Sequence, residues 1–134
     1  MIVAKPRSDG IATAVCTSAE VVGDLVYISG NRVGSDYSVR KAVNTDVTKL
    51  PAIAVVISKI STTRALIQFQ GEVSIYSGLT PGHLYWVGDS GQPTSVPPVP
   101  SGAGVKKYWQ PIGVATDSGR MRLDFGKNLR TRVG

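Results

Sequence analysis

"SGLTPGHLYWVGDSG", Ser77 to Gly91, is the stretch that decides the fold. It begins as a turn, because Pro81 presets φ and Gly82 accepts the positive φ that tight turns demand. Leu84, Tyr85, Trp86 and Val87 follow as a short aromatic and aliphatic run, closed by Gly88, Asp89, Ser90 and Gly91. That pattern is a strand held between two turns. Tyr85 and Trp86 point to opposite faces of such a strand, so one belongs to the core and the other is free for contact. The single His of the chain, His83, stands at the strand's start. No GxSxG, HExxH or Cys–His spacing supplies it with a catalytic partner.

The same pattern occurs once before. "GDLVYIS" (Gly23–Ser29) matches "GHLYWVG" (Gly82–Gly88). "PAIAVVI" from Pro51 and "PIGVAT" from Pro111 then follow after 28 and 29 residues. "RALIQF" from Arg64 is echoed by "RMRLDF" from Arg120, each with a Phe five residues after the Arg. Alternation turns Ala65, Ile67 and Phe69 inward in the first copy and Met121, Leu123 and Phe125 inward in the second. Three matches in one order predict a pseudo-duplicated β-domain. They also make His83 the counterpart of Asp24, a turn-flanking polar residue in place of a general base.

Further strands are predicted at Ile11–Thr17, Pro51–Ile60, Glu72–Tyr76 and Pro111–Thr116. "VNTDVTKLPA" (Val43–Ala52) is compatible with one short helical turn. "GQPTSVPPVPSGAG" (Gly91–Gly104) carries four prolines, which excludes a central strand and predicts a long loop or edge segment. The expected fold is all-β: a small antiparallel barrel or sandwich of about eight strands, with pseudo-duplicated strands and extended termini. The expected division is an N-terminal arm (1–9), the β-domain (10–126) and a basic C-terminal tail (127–134).

The chain has 134 residues, 42% hydrophobic and 18% charged, which suits one globular domain. One cysteine forbids an intrachain disulfide, and one Cys with one His cannot supply a structural zinc set, so no metal and no cofactor is expected. Cys16 lies in an alternating apolar strand and reads as a buried small hydrophobe. No apolar run approaches the roughly 20 residues of a membrane span. "MIVAKPRSDG" has no apolar signal core, so synthesis in a cytoplasm is expected. The carboxylates are dispersed, mostly at turns, and "PSGAGVKKYW" lacks the Lys-Ser/Thr of a phosphate-binding loop.

Net charge is +6, and seven of the fifteen basic residues lie near the ends: Lys5, Arg7, Arg120, Arg122, Lys127, Arg130 and Arg132. "KKYWQ" (Lys106–Gln110) is the best candidate for stacking on single-stranded nucleic acid. The simpler reading puts one of its aromatics in the core and leaves its lysines solvated, so a specific nucleic-acid partner is not expected.

"GDLVYIS", "ALIQFQGEVSIYSGLTPGHLYWVGDSG" and "QPIGVATDSGRMRLDF" together resemble the small β-domains of tailed-phage virion proteins, most of all capsid decoration, or cement, proteins. The resemblance spans about residues 20 to 126 and carries no defined functional residues across. It implies a non-enzymatic structural protein on the outer capsid surface of a bacteriophage virion, bound to the major capsid protein and to itself, as a homotrimer. A tail or fibre adaptor protein and a single-stranded nucleic-acid-binding barrel are the alternatives. The candidate capsid or subunit contacts are Ile2, Val3, Lys5 and Arg7 in the arm and Lys127, Leu129, Arg130 and Arg132 in the tail, both acting as segments that order on contact.

Overall fold

The computed structural model describes residues 10–134. It is nearly all β, with a single 3-10 turn, Val47–Lys49, capped by the Asp46 carboxylate on the Thr48 amide (3.0 Å). The first five strands are β1 (Ile11–Val15), β2 (Leu25–Val33), β3 (Asp36–Lys41), β4 (Ala54–Ser61) and β5 (Arg64–Gln68). They close into a barrel in the order β1-β3-β2-β4-β5. Then come β6 (Gly71–Val73), β7 (Leu84–Val87), β8 (Pro93–Thr94), β9 (Lys106–Trp109), β10 (Pro111–Ala115), β11 (Met121–Leu123) and β12 (Arg130–Val133). Five of these form an open sheet, β6-β11-β10-β7-β8, and β12 pairs with β9 in a separate ribbon.

The expected duplication is real at the level of topology. Around the barrel from β1 the order is β1-β5-β4-β2-β3, and across the open sheet it is β6-β11-β10-β7-β8. Each strand of the first half therefore has a counterpart at the same place in the second. The registers agree as well. Leu25 opposes Val55 and Val26 opposes Ala54, as Leu84 opposes Val114 and Tyr85 opposes Gly113. Val56 opposes Ile67 as Ala115 opposes Met121. The ladders thus equate Ile67 with Met121, two residues away from the pairing that the two Arg positions suggest. An even shift keeps the same residues on the same face.

The turns repeat too. The Asp24 amide bonds the Val21 carbonyl (3.0 Å) and the His83 amide bonds the Thr80 carbonyl (3.2 Å). Gly23 and Gly82 precede them at φ +95° and +83°, a conformation that costs a glycine little.

Two apolar clusters result. The barrel interior is lined by small residues, Ala14, Ala54, Ala65 and Cys16 among them, with Val26, Val39, Val56 and Ile67. Five strands enclose a narrow space that larger side chains would overfill. The larger cluster lies between the barrel's outer wall and the open sheet, joining Leu25, Ala52 and Val55 to Tyr85, Val87, Ile112, Met121 and Leu123. Strands β2 and β4 are thus buried on both faces where the sheet covers them. This explains why "LVY" and "AVV" are unbroken apolar runs and do not alternate.

Four strands were not legible as strands: β3, β8, β9 and β12. The barrel also departs from pure antiparallel pairing, because β1 and β3 run parallel where it closes. Phe69 does not take the inward position its alternation suggests. The strand ends at Gln68 and Phe69 stands 38% exposed.

Candidate interaction surface

The second half carries something that the first lacks. Between β8 and β10 the chain inserts the proline loop and β9, and after β11 it adds β12. Together they make a lobe with no counterpart in the barrel. Register places Arg130 opposite Trp109, Thr131 opposite Tyr108, Arg132 opposite Lys107 and Val133 opposite Lys106. The terminal Gly134 closes the ribbon, its amide on the Val105 carbonyl (2.9 Å) and its carbonyl accepting from Gly104 (3.2 Å).

The segment 127–134 is therefore not a tail apart from the β-domain. The backbone of β9 needs a partner along one edge, and β12 satisfies it. Leu129 packs against the main core, whereas Lys127, Arg130 and Arg132 are exposed. The arm residues Ile2, Val3, Lys5 and Arg7 lie outside the described residues.

The lobe is anchored by polar groups drawn from both halves. Asn44 donates to the Val87 carbonyl (3.0 Å), its own carbonyl accepts from the Tyr108 amide (2.8 Å), and its amide bonds Gly88 (3.2 Å). Lys107 was expected to be solvated with its neighbour Lys106. It is instead buried, with its ammonium on the Asp89 carboxylate and the Asn44 side-chain oxygen. The ammonium holds the Asp89 carboxyl below the usual carboxylate range by hydrogen bonding. A cavity of about 240 Å³ separates this cluster from Val96, Pro97, Pro98 and Val99 of the proline loop.

The two tryptophans share the burial: both are half-buried, with ring centroids 6.4 Å apart and planes inclined at 57°. The Trp109 indole N–H donates to the Pro98 carbonyl (2.6 Å), which ties the loop to β9. The Arg132 guanidinium lies 5.6 Å from the same ring. Of the other pair on the opening strand, Tyr85 is the core residue, and its hydroxyl accepts from the Thr80 amide (2.9 Å).

The outer surface of the lobe mixes charge with apolar area. Lys106, Arg130 and Arg132 make no ion pair with an acid among the described residues. In the same lobe Val96 and Val99 are each 66% exposed, and Val133, opposite Lys106 in the ladder, is 56% exposed. Side chains of these two kinds can attract an acidic surface and bury valine area against a partner.

Elsewhere the candidate chemistry has structural employment. Cys16 is buried, and its sulfur accepts from the Lys59 ammonium (3.1 Å). That ammonium also donates to the carbonyls of Thr17, Glu20 and Thr62 at 2.8, 2.9 and 3.0 Å. His83 is exposed. Among the described residues no group of three or more His, Cys, Asp or Glu side chains could hold a metal ion. Among the described residues no helix is long and apolar enough to cross a membrane.

The signal for this surface was present in the sequence as the basic residues near the chain end. The pairing of β12 with β9, and the burial of Lys107, were not visible. The chain matches no protein-family model, no curated protein and no solved structure.

Proposed function

We propose that the chain is a structural protein of a phage virion, a decoration protein that binds the outer capsid surface and strengthens the shell across capsomers. The observation that carries the reading is the added lobe. It gives the duplicated β-framework an exposed lobe that carries Lys106, Arg130 and Arg132, without an acidic partner among the described residues, together with exposed Val96, Val99 and Val133. The motif resemblance to decoration proteins supports the same reading. The proposed partners are the major capsid protein and two further copies of this chain. Contacts from Lys127, Arg130 and Arg132 steer the lobe to acidic capsid surface, and the valines add buried area once it has docked.

The nucleic-acid alternative is less well supported. The Trp109 ring, the best stacking platform in the sequence, has its N–H bonded to the proline loop and Arg132 beside its ring.

The test is to purify particles from producing cells and count copies of this protein by quantitative mass spectrometry. A decoration protein is present in hundreds of copies set by shell symmetry. A few tens of copies indicate a tail component, and absence from particles ends both readings. On stripped shells, the double variant Arg130→Glu with Arg132→Glu should bind at least tenfold more weakly at low salt, with the difference shrinking as salt rises. A salt-steep affinity for an oligonucleotide instead would favour the nucleic-acid reading.

A further inference from the structure

Strand β12 is paired along one edge only, and the ladder shows which backbone groups line the other. The Gly134 amide bonds the Val105 carbonyl (2.9 Å), and the Tyr108 amide turns away from β12 to the Asn44 carbonyl (2.8 Å). In an antiparallel ladder, pairs that exchange hydrogen bonds alternate with pairs that do not. Lys107–Arg132 and Trp109–Arg130 are therefore bonded pairs, and Lys106–Val133 and Tyr108–Thr131 are not. The N–H and C=O groups of Thr131 and Val133 point away from β9. They meet no partner among the described residues, and all four residues of β12 are exposed.

We infer that this edge takes an extended acidic segment of a partner protein as an added strand. The inference rests on the lobe being the docking surface and adds the manner in which the partner is held. The aligned backbone groups of Thr131 and Val133 supply the main-chain bonds from which strand addition draws its affinity. The side chains then select the occupant. Arg130 and Arg132 stand two residues apart, on one face of the strand. Neither has an acidic partner among the described residues.

A second copy of β12 is disfavoured here. Paired antiparallel so that both Thr131 and Val133 take part, it sets Arg132 against Arg130 or against another Arg132, and like charges directly opposite destabilise a sheet. A segment with Glu or Asp at every second position instead places acids opposite both arginines and apolar residues opposite Thr131 and Val133. The edges of the open sheet offer less. Strand β6 has three residues and β8 has two, one of them Pro93, which has no N–H to give.

The test titrates the full chain with the peptide acetyl-Glu-Val-Glu-Val-Glu-amide and follows backbone amide resonances. The shifts should centre on Thr131 and Val133. The same peptide N-methylated at both valines, and one with Lys for every Glu, should each bind about tenfold more weakly or worse. Thr131→Pro removes one outward N–H and none of the bonds to β9, a place where an edge strand tolerates proline. This variant should keep the wild-type circular dichroism and tryptophan fluorescence and lose the peptide. No binding at millimolar peptide, equal binding of the N-methylated peptide, or shifts centred elsewhere would overturn the inference. So would a dimer of the free protein that Thr131→Pro dissolves, because the occupant is then a second copy. The two readings separate on stripped shells. If Arg130→Glu with Arg132→Glu weakens binding and Thr131→Pro does not, the docking surface stands and strand addition is wrong.

Discussion

The barrel half and the open-sheet half follow one plan to different ends. Leu25 and Leu84 occupy the same register position, and so do Val55 and Val114. Leu25 and Val55 are fully buried, whereas Leu84 and Val114 are 39% and 40% exposed. The outer wall of the first half is covered by the second, and the outer wall of the second is covered by nothing among the described residues. The inner faces differ in the opposite sense. The barrel closes on itself and accepts alanines, while the open sheet has the barrel as its lid and uses Tyr85, Met121 and Leu123. A shared strand order therefore leaves residue size to be set by what lies opposite.

The turns show the same rule. Asp24 is fully buried, its carboxylate accepting from the Val21 amide (2.9 Å) and the Gln92 side-chain amide, with the Lys41 ammonium at 3.5 Å. Tyr76 caps the site by donating to the Gly23 carbonyl (2.9 Å), and burial pushes its phenol well above the ordinary range, with the Asp24 charge adding to the effect. His83, at the equivalent turn, faces solvent. The closing strands differ too. β3 has six residues and reaches β1, whereas β8 has two, one of them Pro93, and cannot extend the ladder.

The sharpest way to break this comparison is to truncate the equivalent leucines. Leu25→Ala should cost about 2–5 kcal/mol and Leu84→Ala no more than about 1 kcal/mol, read from urea unfolding. Equal losses would mean that the two outer walls are not in different environments.

Next in size is the polar seam between the halves. Gln110 is fully buried and pairs with both backbone groups of Ala52 at 2.7 Å, and with the Gly126 carbonyl at 3.0 Å. Gln110→Ala leaves buried groups of Ala52 unpaired and should cost roughly 2–4 kcal/mol. A broadened or split unfolding transition is also expected, because the halves lose their mutual tie. A single sharp transition with unchanged midpoint would show that the seam does not couple them.

Overpacking gives a smaller contrast. Ala54→Val, inside the closed barrel, should cost about 1–3 kcal/mol, and Ala115→Val, in the open sheet, less than about 1.5 kcal/mol. The reverse order would argue that the sheet is the tighter of the two environments.

The smallest effect is on the lobe. The carboxyl of Asp89 titrates below its ordinary value in the folded protein, mainly through its hydrogen bond from Lys107. Its contribution is present above the unfolded-state value of about 4 and is lost as pH falls through the lower folded value. Asp89 is 74% exposed, so the effect should stay under about 1 kcal/mol. Tryptophan fluorescence should report an acid loosening of the lobe that Asp89→Asn abolishes. An unchanged acid transition in that variant would assign the loosening to other groups.

The sequence by itself determined the class and the repeat. Alternation and turn residues are local signals, and Gly23–Asp24–Leu25 and Gly82–His83–Leu84 carry them plainly. It also placed Cys16 in the core and Gly91–Gly104 outside any central strand. Tertiary structure decided the rest. Leu25 and Leu84 are the same residue in the same local pattern, and only the neighbouring half buries one of them. Lys107 is charged and follows another lysine, so nothing local distinguishes the solvated one from the one held by Asp89 and Asn44. Strand β12 is a polar, basic segment whose four residues are all exposed, and it is a strand because β9 needs a partner. Phe69 alternates inward on paper, but the ladder stops one residue short of it. In each case the deciding term is a contact from residues distant in the chain, and periodicity along the chain cannot register it.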